Sequence, residues 1–135
     1  ARIIEDEHIL GFHFLEHRNH IMDTKKVFLN SLKESVQKIE DISQNTIEYC
    51  RVPYGYLLPW QLRWINQSGY KHVFWSLDSK DYNQESKGKV INRVRDNIHS
   101  GDIVLFHDGS ASHPQIVQIV GDCLKSLNLN LEIKC

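Results

Sequence analysis

His13 and His17 lie four residues apart, and on a helical turn both imidazoles would point the same way and share one cation. A divalent ion such as zinc takes neutral imidazole nitrogen at ~2.0–2.1 Å, and catalytic sites commonly use three protein ligands plus water. His8 and His20 crowd the same stretch, so the spacing alone is weak. His107 directly follows the apolar run Ile103–Phe106, which would deliver its ring at the end of a buried strand. A histidine in such a place suits general acid chemistry, because imidazole titrates near neutral pH. Arg51 precedes Pro53 and Gly55, a rigid and tightly turning string. Asp78 and Asp81 follow a third apolar run, and Asp108 follows His107. These residue types suit metal-assisted hydrolysis.

The elements that must position them alternate. Ile9–Phe12, Thr46–Cys50, His72–Leu77 and Ile103–Phe106 read as strands, with Leu129–Ile133 as a closing one. Lys25–Ile39 carries Phe28, Leu29, Leu32, Val36 and Ile39 at helical spacing, with Asp23 or Thr24 as N-cap. Pro59 opens a second helix with Leu62 and Ile65 inward, which Gly69 would stop. A third spans Lys89–Ser100, closed by Gly101, and a fourth begins at Pro114 with Ile116, Val117, Val120, Cys123, Leu124 and Leu127 inward. Strict strand–helix alternation predicts right-handed crossovers and a parallel sheet, so the fold class is α/β, an open sheet or a barrel segment in one domain over residues 1–135. In such folds functional groups gather at the carboxyl ends of strands. His13, Arg51, Asp78 and His107 each follow a predicted strand, and the expectation is one shared rim.

Bulk properties exclude several classes. Sixteen Lys and Arg against seventeen Asp and Glu leave no basic field for nucleic acid or an anionic membrane. No apolar run approaches the ~18 residues of a membrane span. Cys50, Cys123 and Cys135 are widely spaced with no Cys-x-x-Cys, so buried small side chains are expected rather than a disulfide framework or a thiolate site. No Gly-x-Ser-x-Gly elbow suggests a serine hydrolase.

Taken in order, the strings Gly11–His17, Arg51–Gly55, Asp78–Tyr82, Leu105–His107 and Asp108-Gly109 resemble the polysaccharide deacetylase family, the NodB-homology domain of carbohydrate esterase family 4. The family's first motif, Thr-Phe-Asp-Asp-Gly, has no counterpart in the sequence. The resemblance implies about the last two-thirds of a distorted (β/α)7 barrel. It also implies an N-terminal segment, in the same chain or a second one, to complete the site. The spacing of Ile3, Ile4 and His8 reads as a helix already under way at Ala1, which favours a fragment of an active enzyme.

By the same resemblance His13 and His17 are metal ligands, for zinc first, with cobalt or nickel as alternatives. The absent motif would give the third ligand and the catalytic base. Arg51 would pair with that base, and the Tyr54 amide would receive the oxyanion. His107 would be the acid, fixed in its tautomer by Asp81, and Leu105 would line a pocket for the acetyl methyl. Tyr82 stands where the family has Trp, keeping an aromatic wall. Phe14 stands where it usually has Ser or Thr bracing the histidine loop. Asp78 and Asp108 would brace loops, and Trp60, Trp64 and Trp75 are expected in packing rather than as sugar platforms. The implied reaction is hydrolysis of acetyl groups from chitin, chitooligosaccharide or peptidoglycan, with O-acetyl xylan as a further substrate. The implied setting is secreted or in the cell envelope. The alternative is a catalytically inactive carbohydrate-binding or scaffold domain on the same fold.

Overall fold

The computed structural model describes residues 2–109 and 113–127. They gather into two compact units, one running to Phe74 and the other starting at Trp75.

In the first unit, a short helix α1 (Arg2–Glu5) precedes strand β1 (Gly11–Phe12), helix α2 (Lys25–Ser43), strand β2 (Tyr49–Cys50), helix α3 (Pro59–Gln67) and strand β3 (Lys71–His72). The three strands are parallel in the order β1-β2-β3, with Phe12 opposite Cys50 and Cys50 opposite His72. A Cβ at Gly11 would stand 3.1 Å from the Tyr49 carbonyl oxygen, so this approach of β1 to β2 favours glycine. Of the two N-cap candidates for α2 it is Thr24 whose hydroxyl accepts the Val27 N–H, at 3.4 Å. The helix runs past Ile39 and stops at Gln44, which turns left-handed. Its stripe of Phe28, Leu32 and Val36 packs with Phe12, Ile47 and Ile65 in one core. Pro59 occupies the first turn of α3, and Gly69 at φ 87° ends its exit turn.

The second unit holds strand β4 (Leu77–Asp78), helix α4 (Lys87–Asn97), strand β5 (Val104–Leu105) and helix α5 (Ile116–Ser126). Strands β4 and β5 pair in parallel, Leu77 with Val104 and Asp78 with Leu105. Val90 and Val94 from α4 meet Ile119 and Cys123 from α5 in a second core.

Alternation and parallel pairing match the sequence reading, with corrections. The run His72–Leu77 is not one strand: its first residue closes the sheet of the first unit, and its last begins the two-stranded sheet of the second. Helix α4 spans Lys87–Asn97 because Ile98 is already extended, and α5 begins at Ile116 because Pro114 and Gln115 form a turn. Val117 and Leu124 of α5, expected inward, are exposed, because the buried face of the helix centres on Ile119 and Cys123. Trp60 is half exposed rather than packed, whereas Trp64 rests on Phe28. Cys50 and Cys123 are buried free thiols, as expected, and Cys135 and the proposed strand Leu129–Ile133 lie outside the described residues. No helix among the described residues is long and apolar enough to cross a membrane.

Candidate functional site: one cluster in each unit

His13 leaves the end of β1, and its ring centre lies 5.0 Å from that of His17. The pair does not sit on a helical turn, contrary to the sequence expectation. Phe14 takes a left-handed backbone (φ 58°) that throws its ring inward, where it packs on Phe12, Phe28 and His20. The loop is held instead by longer-range bonds. Ser35 of α2 accepts the Leu15 N–H at 3.0 Å while donating to the Ser31 carbonyl at 2.6 Å. The Tyr54 hydroxyl donates to the His17 carbonyl at 3.4 Å, and the Tyr54 ring lies 4.8 Å from the His17 ring. A buried aromatic and a helix serine thus do the bracing that a hydroxyl at position 14 would do locally.

His13 Nδ1 donates to the Arg51 carbonyl at 2.8 Å, which places the ring proton on Nδ1 and fixes the plane of the imidazole. Metal-bound histidines are commonly oriented by such a bond to a carbonyl. Two imidazoles each ~2.0–2.1 Å from one tetrahedral ion would put their ring centres about 5 Å apart, which is the observed spacing. The ring-centre spacing of His13 and His17 is thus compatible with two ligands of one divalent ion. Among the described residues no group of three or more His, Cys, Asp or Glu side chains is gathered for a metal. His20 has a different task. It is wholly buried, bonding the Asp23 carboxylate at 2.8 Å, and Asp23 is gripped by Arg18 through both oxygens. Burial works to raise the Asp23 carboxyl, but the Arg18 and His20 bonds outweigh it and hold the group below its usual range.

Arg51 follows β2, and its Nε donates to the Val73 carbonyl at 3.0 Å, with burial pulling the guanidinium below its ordinary value. The turn Pro53–Gly55 is closed by the Gly55 N–H on the Val52 carbonyl, with Tyr54 left-handed at φ 62°. One residue of this cluster escaped the sequence reading. His72, at the end of β3, accepts the Val52 N–H on Nε2 at 3.1 Å. Burial first, then the charges of Arg51 and His13, draw His72 down to about 4. Its only sequence signal was a histidine heading an otherwise apolar run.

That depression sets a pH dependence. A group protonated more readily unfolded than folded gives stability that is complete above its unfolded value, ~6.5, and lost as pH falls toward 4. The expected loss from His72 is at most roughly 3 kcal/mol. Urea unfolding from pH 7 to 4.5, above the range of the depressed carboxylates, should show a falling midpoint that His72→Val flattens.

In the second unit, Asp81 and His107 form a pair with two points of attachment. His107 Nδ1 bonds Asp81 Oδ1 at 2.9 Å, and the His107 backbone N–H donates to Oδ2 at 2.9 Å. The Ser79 hydroxyl adds a third bond to Oδ1 at 3.0 Å. Asp81 is wholly buried; burial works to raise its carboxyl, but these bonds prevail and hold it below its usual range. An ionised, acceptor-only carboxylate facing Nδ1 puts a ring proton there. The Tyr82 ring meets His107 edge-on at 5.1 Å, and its hydroxyl donates to Asp78. Asp78 also accepts the Lys80 N–H at 2.9 Å, the loop-bracing role expected of it. Leu105 is buried, and Asp108 is exposed. Arg93 of α4 clamps this turn, donating to the Ser79 carbonyl and the Glu85 carboxylate, each at 2.7 Å.

No family model matches the chain. The fold is that of carbohydrate esterase family 4. A family 4 esterase from Streptomyces lividans in complex with acetate matches with a TM-score of 0.81 at 18% identity, over 92% of this chain and 62% of that one. A family 4 pseudoenzyme from Bacillus anthracis matches with a TM-score of 0.79 at 18% identity, over 93% and 45%. Among curated proteins, a chitooligosaccharide deacetylase of Azorhizobium caulinodans is 32% identical over 106 residues, 77% of this chain and 50% of its own length. A peptidoglycan-N-acetylglucosamine deacetylase of Bacillus cereus is 26% identical over 114 residues, 84% of this chain and 42% of its own. The chain belongs to the polysaccharide deacetylase family and spans about half the length of these two curated relatives.

Proposed function

We propose that this chain is part of a metal-dependent deacetylase acting on N-acetylglucosamine polymers, peptidoglycan or chitooligosaccharide, at the cell envelope or outside the cell. The observation that carries the reading is the His107–Asp81 pair, in which a buried carboxylate holds both the ring and the backbone of a histidine. The relatives' names supply the substrate class.

In this reading His13 and His17 hold a divalent ion, zinc first. When bound, such an ion supplies Lewis acidity and makes water a stronger nucleophile at neutral pH. The Tyr54 amide donates to the oxygen of the acetyl group as negative charge develops there. His107, its Nδ1 proton held by Asp81, gives a proton from Nε2 to the departing amine as the carbon–nitrogen bond breaks. Arg51 supplies positive charge beside the turn and orients a carboxylate base. Leu105 and Tyr82 line the space for the acetyl methyl and the sugar.

A second reading, a glycan-binding domain without turnover, is favoured by the pseudoenzyme of like fold. One experiment separates them. The full-length protein of which this chain is part, loaded with zinc, is expected to release acetate from chitooligosaccharide or peptidoglycan, to stop after chelation, and to resume when zinc is restored. Glycan binding with no acetate from zinc-, cobalt- or nickel-loaded samples would establish the second reading.

A further inference from the structure

His72 is a half-buried titratable group to which the reaction above gives no task. Its Nε2 accepts a proton from the Val52 amide, so the lone pair is on Nε2 and the ring proton is on Nδ1. That Nδ1 is buried and has no hydrogen-bond partner among the described residues. A valine would fill this strand position without stranding an N–H, as β-branched residues pack well there. What valine cannot supply is an acceptor for Val52, which is itself wholly buried. The imidazole therefore satisfies one buried backbone amide at the expense of its own nitrogen.

We propose that His72 is a positioning residue that pins the end of β2, and through it the Arg51 side chain and the Tyr54 amide, to the end of β3. Two bonds straddle the junction: Val52 N–H to His72 Nε2, and Arg51 Nε to the Val73 carbonyl. They follow the last strand pair, Cys50 with His72, and hold the chain in register where the sheet stops. Beyond this point the backbone turns sharply through left-handed Tyr54. A shift of the Val52 plane would be passed directly to the amide two residues on. The His72 ring, 4.2 Å from that of Phe74, is itself held by packing. The depression of its titration described above keeps Nε2 an acceptor through the neutral range.

For catalysis this inference rests on the deacetylase reading; for the loop it does not, and the test has an arm for each. Amide hydrogen exchange by NMR is compared in the unsubstituted protein, His72→Val and His72→Gln. His72→Val is expected to speed exchange at Val52 by at least about tenfold, because a buried amide left without its acceptor opens more readily. His72→Gln, which keeps an acceptor oxygen, is expected to restore most of the protection. In acetate release, His72→Val should lower kcat by roughly ten- to a hundredfold, the scale of a small misplacement near the chemistry, with KM little changed. Unchanged Val52 exchange in His72→Val overturns the proposal, as does Val52 exchange in His72→Gln as fast as in a folded His72→Val. Altered exchange in a protein that never releases acetate upholds the positioning role and refutes the deacetylase reading instead. Should His72→Val fail to fold, the Gln variant decides alone: protected Val52 supports the pin, and fast exchange refutes it.

Discussion

His107→Ala is expected to reduce acetate release by about 10²- to 10⁴-fold while leaving glycan binding near its original strength. The range is that of a lost general acid, and the split follows from the role. Proton delivery is needed only as the carbon–nitrogen bond breaks, so kcat should fall and KM should not rise. Asp81→Asn refines the test. The amide keeps the shape of the carboxylate but removes its charge, and its NH2 presents a donor to either the ring Nδ1 or the backbone N–H, both of which now donate to Asp81. Either the backbone bond fails, or the ring takes the other tautomer, with Nδ1 accepting from the amide. The expected result is a large loss of kcat in a folded protein, with the pH profile of kcat altered. A leaving group that needs no proton, such as an activated acetyl ester, should recover much of the rate in His107→Ala. Equal loss on both kinds of substrate would point to structural damage instead.

That pair also shows how far a sequence can carry a site. Asp81 and His107 are 26 residues apart, and nothing local links them. They meet because β4 and β5 run parallel with Asp78 opposite Leu105, so residues just past each strand emerge side by side. Parallel pairing was legible in the strand–helix alternation, and so was the meeting of residues at strand ends. The helices were legible for the same reason: Phe28, Leu32 and Val36 repeat at the period of one face and fill one core. What was not legible was set by long-range geometry. His72–Leu77 contains no Gly or Pro to mark a break, yet its two ends pair in different sheets. Phe14 looked like a missing brace because the substitute, Ser35, lies on a helix twenty residues on from Leu15, whose N–H it accepts. His72 looked like an ordinary strand residue because its acceptor role depends on where the Val52 amide points.

Removing one of the paired histidines should be equally severe, by a different route. His13→Ala is expected to weaken zinc binding by more than the 10- to 100-fold typical of losing an outer-shell partner, because it deletes a ligand outright. Competition against a chromophoric chelator measures this without any substrate. Acetate release at limiting zinc should fall in step, and raising the zinc concentration should recover only part of it. Phe14→Ser provides the contrast. It restores a small polar residue between the histidines but removes a ring packed on Phe12, Phe28 and His20. Truncating a buried aromatic to a small side chain costs about 3–5 kcal/mol of stability. In this chain, then, a residue type that looks functional at position 14 should unfold the loop that presents the ligands. If Phe14→Ser instead keeps its stability and binds zinc normally, the loop is not anchored through the core. His13→Ala binding zinc as tightly as the parent would remove the imidazole pair from the metal site altogether. The two variants separate holding the ion from holding the loop, two tasks that the spacing of His13 and His17 leaves merged.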